Sequence, residues 1–325
     1  MNPSDAHLLD LPNEILLIIL RKLNNIDVLY SLLDINNGRL DIIAQENTFT
    51  NVLNFVHTDN ISLIDRFCIY ILPRIHHTIK YFILKPVFME RILRAAVYPN
   101  LTELKLFNFE QQIASKYFTG LSLRDLPSTT FYSSILTHLS IMVQTFDDCL
   151  YLLDGRLKQL TSFNVNVYSI DSFSTIVQNT DMLPNLKCFS LKSFFKFQQY
   201  EQIPSLIRRM PYLEHLTLYL CIKGQNRIID GTCVQDDILV YMPQLHSFTF
   251  YISTYIDSGD LRHNISRQHI QQTLIDIGQQ NATTIVNRLS RSVVECSIFS
   301  LPFAFDYFGS LGSSTFSNII FNYVT

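Results

Sequence analysis

One short pattern recurs along this chain and leaves few folds open to it: apolar residues spaced as L-x-x-L-x-L, often led by proline. The clearest copies are Pro99-Asn100-Leu101 with Leu104 and Leu106, Pro184-Asn185-Leu186 with Phe189 and Leu191, Pro211-Tyr212-Leu213 with Leu216 and Leu218, and Pro243-Gln244-Leu245 with Phe248 and Phe250. Weaker copies start at Leu136, with Leu139 and Ile141, and at Leu160, with Phe163 and Val165. The faintest start at Ile79, with Phe82 and Leu84, and at Val293, with Cys296 and Ile298. Successive starts lie 22, 35, 24, 26, 27, 32 and 48 residues apart. A supersecondary unit repeated at such a period cannot bury its apolar face alone, so consecutive copies must stack on one another.

The last two apolar positions of each copy flank a single residue, which is the alternation of a β-strand, where neighbours point to opposite faces. They are expected inside. The intervening and following residues then share the other, concave face of the sheet: Glu103, Lys105 and Phe107; His138, Ser140 and Met142; Ser162, Asn164 and Asn166; Cys188, Ser190 and Lys192; His215, Thr217 and Tyr219; Ser247, Thr249 and Tyr251. That face is polar, mostly uncharged and tipped with aromatics, a composition that suits protein recognition. Lys105, His215, Thr217, Tyr219, Thr249 and Tyr251 are its candidate target-binding residues. Thr, Ser and Tyr are also simply good strand formers on a solvated face. Helical patterns near 88–96, 146–153, 203–210 and 236–241 precede strands, so each repeat reads as strand, loop, helix, proline, next strand. The more polar stretch 253–291 is expected to be an insertion with one helix near 270–277. Residues 319–324 read as a further strand with nothing after it. A stacked array needs a capped end, so this end is expected to continue in a longer chain or to be covered by a partner.

Ahead of the repeats the pattern changes. Asp10 stands before Leu11-Pro12, which suits a helix start, because proline tolerates the first turn. From Ile15 to Leu20 six consecutive residues are apolar, so at 100° per residue they cover the whole circumference of a helix. Asn24-Asn25 interrupts, a second short helix follows through Ile26, Val28, Leu29, Leu32 and Leu33, and 36–38 form a turn before a third helix with Leu40, Ile42 and Ile43. The apolar surplus exceeds what a small three-helix cluster can bury, and large exposed apolar patches mark partner sites.

The run Leu9-Asp10-Leu11-Pro12-Asn13-Glu14-Ile15-Leu16, then Ile19-Leu20, Leu23 and Ile26-Asp27-Val28-Leu29, resembles the F-box signature over about residues 7–46. The repeats resemble the degenerate leucine-rich repeats that follow F-boxes in many substrate receptors. The resemblance implies an α/β fold: a three-helix F-box at 7–46, a helical connector at 47–78, and a leucine-rich-repeat solenoid at 79–325, its parallel sheet curved and its helices outside. It also implies a function, that of substrate-recognition subunit of a Skp-adaptor/cullin/RING ubiquitin ligase. Leu11, Pro12, Ile15, Ile18, Ile19 and Leu29 would then contact the Skp-type adaptor, and through it a cullin, while the repeats hold a target protein for ubiquitination. Residues 35–40 depart from the family pattern, having neither its cysteine nor its tryptophan. Most copies also lack the Asn or Cys usual after the strand. The alternative is a repeat scaffold whose first helices merely cap the array, with no ligase connection.

Composition bears on what else the chain can be. Hydrophobic residues make up 47% and charged residues 16%, enough apolar surface to fold. With a net charge of −3 and no dense Lys/Arg cluster, nucleic acid is not an expected partner. The six cysteines fall singly, without a CxxC pair, which fits a reducing compartment, cytoplasmic or nuclear. No signal-peptide pattern is present, and the apolar runs near Ile15 and Ile69 are too short to span a bilayer, so no membrane is expected. Sequons at Asn60, Asn100, Asn264 and Asn281 carry little weight without a secretory route. His76-His77 lacks the i, i+4 spacing of a helical metal pair. Asp147-Asp148 and Asp236-Asp237 are expected at helix N-termini, where acidic residues offset the helix dipole. No phosphate-binding, nucleophile-elbow or zinc-protease motif occurs. The expectation is a non-catalytic chain without a cofactor.

Overall fold

The computed structural model describes residues 10–106, 135–170, 181–257 and 266–305, apart from positions 34, 36, 156, 226 and 291. The chain is mixed α/β, and its ten described strands form an open, mostly parallel sheet. It divides into two compact units, with the change from one to the other falling between residues 140 and 141.

The first unit opens with three short helices, Asn13–Leu20, Asn25–Leu32 and Gly38–Ala44. The asparagines that interrupt the apolar pattern start the next helices. Asn24 accepts a hydrogen bond from the Ile26 N–H, and Asn37 accepts from the N–H groups of Arg39 and Leu40, so each satisfies otherwise orphaned donors. Strands β1 (Val52–Asn54), β2 (Tyr81–Leu84), β3 (Glu103–Leu106) and the first residues of β4 (His138–Thr145) then pair in parallel in that order. The connector at 47–78 is therefore not helical throughout, because β1 lies within it. The run Phe67–Ile71 in this connector is a π-helical turn just before Pro73, whose missing N–H disrupts regular α-helical bonding.

The second unit holds the rest of β4, then β5 (Ser162–Ser169), β6 (Cys188–Phe197), β7 (His215–Lys223) and β8 (Ser247–Asp257), with β5 to β8 parallel in sequence order. Helices Phe146–Leu152, Gln202–Ile207 and Gly231–Asp237 lie between successive strands. Thr145 and Asp148 form a reciprocal capping box at the first of these, as acidic residues at a helix start should. Asp237 instead ends its helix, and its carboxylate meets Arg227 at 3.2 Å. The acidic cap of that helix is Asp230, which accepts from the Cys233 N–H.

One backbone device recurs in both units. The carbonyl of the residue just before a strand accepts two N–H groups from the start of the next strand. In the first unit Asn51 accepts from Lys80 and Tyr81, Lys80 from Thr102 and Glu103, and Thr102 from Thr137 and His138. In the second unit Thr161 accepts from Lys187 and Cys188, Lys187 from Glu214 and His215, and Glu214 from His246 and Ser247. These twelve bonds all measure 2.8–3.1 Å. The Pro-Asn-Leu lead-in has its own counterpart: the Asn100 amide donates to the His77 carbonyl at 2.6 Å, and the Asn185 amide to the Lys158 carbonyl at 2.8 Å. Of the residues expected inside, Leu104, Leu106, Leu139, Ile141, Phe163, Val165, Phe189, Leu191, Leu216, Leu218 and Phe250 are buried, while Phe248 remains partly exposed.

The pattern ends at β8. Strand β10 (Val293–Ser300) is antiparallel to β8 on one side and to β9 (Ala282–Arg288) on the other, so the apolar triplet at Val293 is not another copy of the parallel repeat. Only residues 289–292 separate β9 from β10, too short a link for the crossover that a parallel pair needs, so these two strands pair antiparallel. The 253–291 stretch holds the expected helix, Arg267–Asp276, but also β9 and the last part of β8. Phe107 and residues 319–324 lie outside the described residues.

Candidate protein-interaction surfaces

Helix Asn13–Leu20 is divided between two environments. Leu16 and Leu20 are buried with Leu29, Leu32, Leu33, Leu40 and Ile43 from the two helices that follow. Ile15, Ile18 and Ile19 are 42%, 56% and 40% exposed, Pro12 is exposed and Leu11 partly so. Five of the six residues expected at an adaptor contact thus reach the surface. Leu29 does not: it is 0% exposed, because at i+3 from Ile26 and i−3 from Leu32 it belongs to the inward stripe of its own helix. Ile42, not among the expected adaptor contacts, is 73% exposed on the third helix. The Leu-Pro lead-in is fixed by Arg39, whose guanidinium donates to the Leu11 carbonyl and, at 2.7 Å, to Asn13 Oδ1. No local sequence pattern signals a cation such as Arg39 that reaches back to residues 11–13.

The face of the sheet opposite the inward leucines carries the candidate target-binding residues. Lys105 belongs to the first unit, opposite Ile83 in β2 and Ser140 in β4, and is partly exposed. The other five share the second unit. Parallel register sets His215 beside Ser247, Thr217 beside Thr249, and Tyr219 beside Tyr251. His215 is exposed, and Thr217 and Thr249 are partly exposed. Tyr219 and Tyr251 do stand side by side, rings stacked 4.6 Å apart, but both are 0% exposed. The expectation of two solvent-facing aromatic anchors is corrected on this point. Phe299 of β10 completes their cluster, and Leu301, Phe303 and Phe305, which follow that strand, pack against it. A strand-by-strand alternation assigns faces but cannot say which other segment covers a face.

Beyond the tyrosines the same face becomes a polar core. The Glu295 carboxylate, buried on β10, accepts hydrogen bonds from Tyr255 Oη at 2.7 Å, Ser253 Oγ at 3.0 Å and Asn287 Nδ2 at 3.5 Å. Ser297 Oγ donates to Ser253 Oγ at 3.0 Å. Satisfying a buried carboxylate this way offsets the cost of its desolvation. Lys196 places its ammonium 3.5 Å from the centroid of the Tyr255 ring. Burial pushes the Cys221 and Cys296 thiols up to about 12, so they stay protonated at neutral pH and are poor nucleophiles.

Elsewhere in the second unit a mostly apolar cavity of about 310 Å³ is lined by Leu152, Leu153, Leu157, Leu160, Leu186 and their neighbours. Polar groups near it are engaged in holding the fold. The Asn185 amide meets Lys158, and the buried Arg209 guanidinium donates to the carbonyls of Leu153 at 2.7 Å and Asp181 at 2.8 Å. His76 Nδ1 lies 2.8 Å from the Val97 carbonyl. Among the described residues no group of three or more His, Cys, Asp or Glu is placed to hold a metal ion, and no helix is long and apolar enough to cross a membrane. No protein-family model matches the chain, and no curated protein matches it significantly.

Proposed function

We propose that this chain is the substrate-recognition subunit of a Skp-adaptor/cullin/RING ubiquitin ligase, an F-box protein whose leucine-rich-repeat solenoid holds the target. The observation that carries the reading is the outward row Ile15, Ile18 and Ile19 on the helix that begins Leu11-Pro12. Three large aliphatic side chains left open on one short helix are costly to solvate and suit burial against an apolar partner groove. The recurring carbonyl device and the inward leucines support the repeat half of the reading. On this reading the chain is not an enzyme; ubiquitin transfer is performed by other subunits, and Lys105, His215, Thr217 and Thr249 remain candidate target contacts.

The test is capture of a purified Skp-type adaptor by wild-type chain and by the double variant Ile15→Asp, Ile18→Asp. Both positions are exposed, so the variant should fold, and capture should fall below detection. Undiminished capture by the variant, or none by the wild type, rejects the reading.

A second reading, an end-capping scaffold, is favoured by one specific contact. The Asn25 amide donates to the carbonyls of Thr48, at 3.2 Å, and Val52, at 2.9 Å, tying the second helix to β1, which stands at one end of the sheet among the described strands. Covering an edge strand protects it from pairing with other chains. That role accounts for Asn25 but leaves the exposed isoleucines unexplained.

A further inference from the structure

Strand β10 ends at Ser300, and the five residues after it lie against the aromatic cluster in alternating fashion. Leu301, Phe303 and Phe305 pack on the cluster, while Pro302 and Ala304 are exposed. Phe305 meets the Tyr219 ring edge-on at 5.2 Å, and Phe303 meets Tyr251 at 6.0 Å and Phe299 at 5.7 Å, both edge-on. The Lys192 ammonium stands 5.7 Å from the Phe305 ring centroid. The floor and its cover differ in burial: Tyr219, Tyr251 and Phe299 are sealed, whereas Phe303 and Phe305 stay partly exposed and belong to no helix or strand.

We propose that Tyr219, Tyr251 and Phe299 form the floor of a docking site for extended protein segments with aromatic residues two apart, and that the chain's own Leu301–Phe305 occupies it in competition with such a partner. Edge-on packing on two stacked tyrosines accepts any flat ring presented at that spacing. Lys192 adds attraction for the ring face. A segment attached to the same chain acts at an effective concentration in the millimolar range, so it excludes weak partners and yields only to one that binds better or arrives in several copies. The inference rests on the part of the proposed function that gives this sheet face a protein target; it does not depend on adaptor docking.

The probe is a dye-labelled peptide of residues 300–305, Ser-Leu-Pro-Phe-Ala-Phe, titrated by fluorescence polarisation into wild-type protein and into the double variant Phe303→Ala, Phe305→Ala. The variant vacates the site and should bind the peptide at least about tenfold more tightly than wild type, because the tethered competitor is removed. A peptide with serine in place of both phenylalanines should not bind. Since the chain has no tryptophan, Phe305→Trp supplies a reporter that does not rely on the double variant folding. Its emission should be blue-shifted at rest and move to the red as unlabelled peptide saturates the protein. No binding by a folded double variant, equal binding to both proteins, or tryptophan emission indifferent to saturating peptide overturns the proposal. Adaptor capture, measured on the same samples, should be unchanged; its loss in wild type would reject the ligase reading and leave this one standing.

Discussion

Replacing Leu218 and its neighbour Thr217 in turn tests the alternation on which both faces of the sheet depend. Leu218 lies in the middle of β7, between Leu191 of β6 and Phe250 of β8, and is 0% exposed. Leu218→Ala removes three carbons, which at about 0.8 kcal/mol per buried CH₂ gives roughly 2.4 kcal/mol for transfer alone. A cavity in a well-packed interior adds to this, so the total should fall at about 3–5 kcal/mol, toward the upper part of the range for buried leucines. Thr217 points to the other face, is only partly exposed there, and pairs laterally with Ser190 and Thr249. Thr217→Ala should cost about 0.2–1 kcal/mol, the scale of one cross-strand pair. The assay is urea unfolding followed by far-ultraviolet circular dichroism, with the two compact units fitted as separate transitions. Equal losses for the two variants would refute the inward assignment of Leu218, and a loss below about 1 kcal/mol for Leu218→Ala would refute the close packing.

Gly231 starts its helix so close to helix Arg267–Asp276 that an added Cβ would lie 2.4 Å from the Thr273 carbonyl oxygen. Gly231→Ala should therefore cost about 1–3 kcal/mol through overpacking, read by the same urea titration, and an unchanged midpoint would count against the helix contact. Tyr30, held against the Leu63 carbonyl, has its hydroxyl pushed by burial from 10.0 up to about 12, partly opposed by the Arg66 guanidinium. A raised acid pKa means the folded state holds its proton longer, so this contribution is complete below pH 10 and is lost as pH rises toward 12. Tyr30→Phe should flatten the decline of stability across that window, and an identical alkaline profile would exclude Tyr30 as its source.

What the sequence disclosed and what it withheld follow from the range of the forces involved. The strands from β2 to β8 were legible because L-x-x-L-x-L records two local facts, a turn and a two-residue alternation, and both leave marks on residues a few positions apart. The helix breaks at Asn24 and Asn37 were legible for the same reason, since a cap acts within one turn. Strand β1 was not, because Val52-Leu53-Asn54 is too short to show a period and is a strand only by pairing with Tyr81–Ile83. The antiparallel return of β10 was not, because its apolar spacing is the same whichever way the strand runs. Leu29 was assigned outward by a family pattern, although its position between Ile26 and Leu32 in a helical register places it inside. Phe299, Phe303 and Phe305 carry no local signal of their packing because what they cover, Tyr219 and Tyr251, lies 48–86 positions earlier in the chain.

Along β7 and β8, burial of the face that carries the target-binding candidates increases from the start of the strand onward. His215 and Ser247, the first residues of these strands, are exposed; Thr217 and Thr249, two residues on, are partly exposed; Tyr219 and Tyr251, two residues further, are sealed. The hydroxyl and carboxylate core around Glu295 continues the sealed end. A partner approaching this face first meets small polar groups and a histidine, which supply hydrogen bonds but little buried area, and binding energy at protein interfaces comes mainly from desolvated aromatic anchors. In the described structure those anchors are engaged by Phe303 and Phe305. On the proposed reading, contact with the open half alone suits weak encounter and tight capture has the partner take the place of the two phenylalanines, so affinity for a target should rise when Leu301–Phe305 is released even though no residue of the open half has changed.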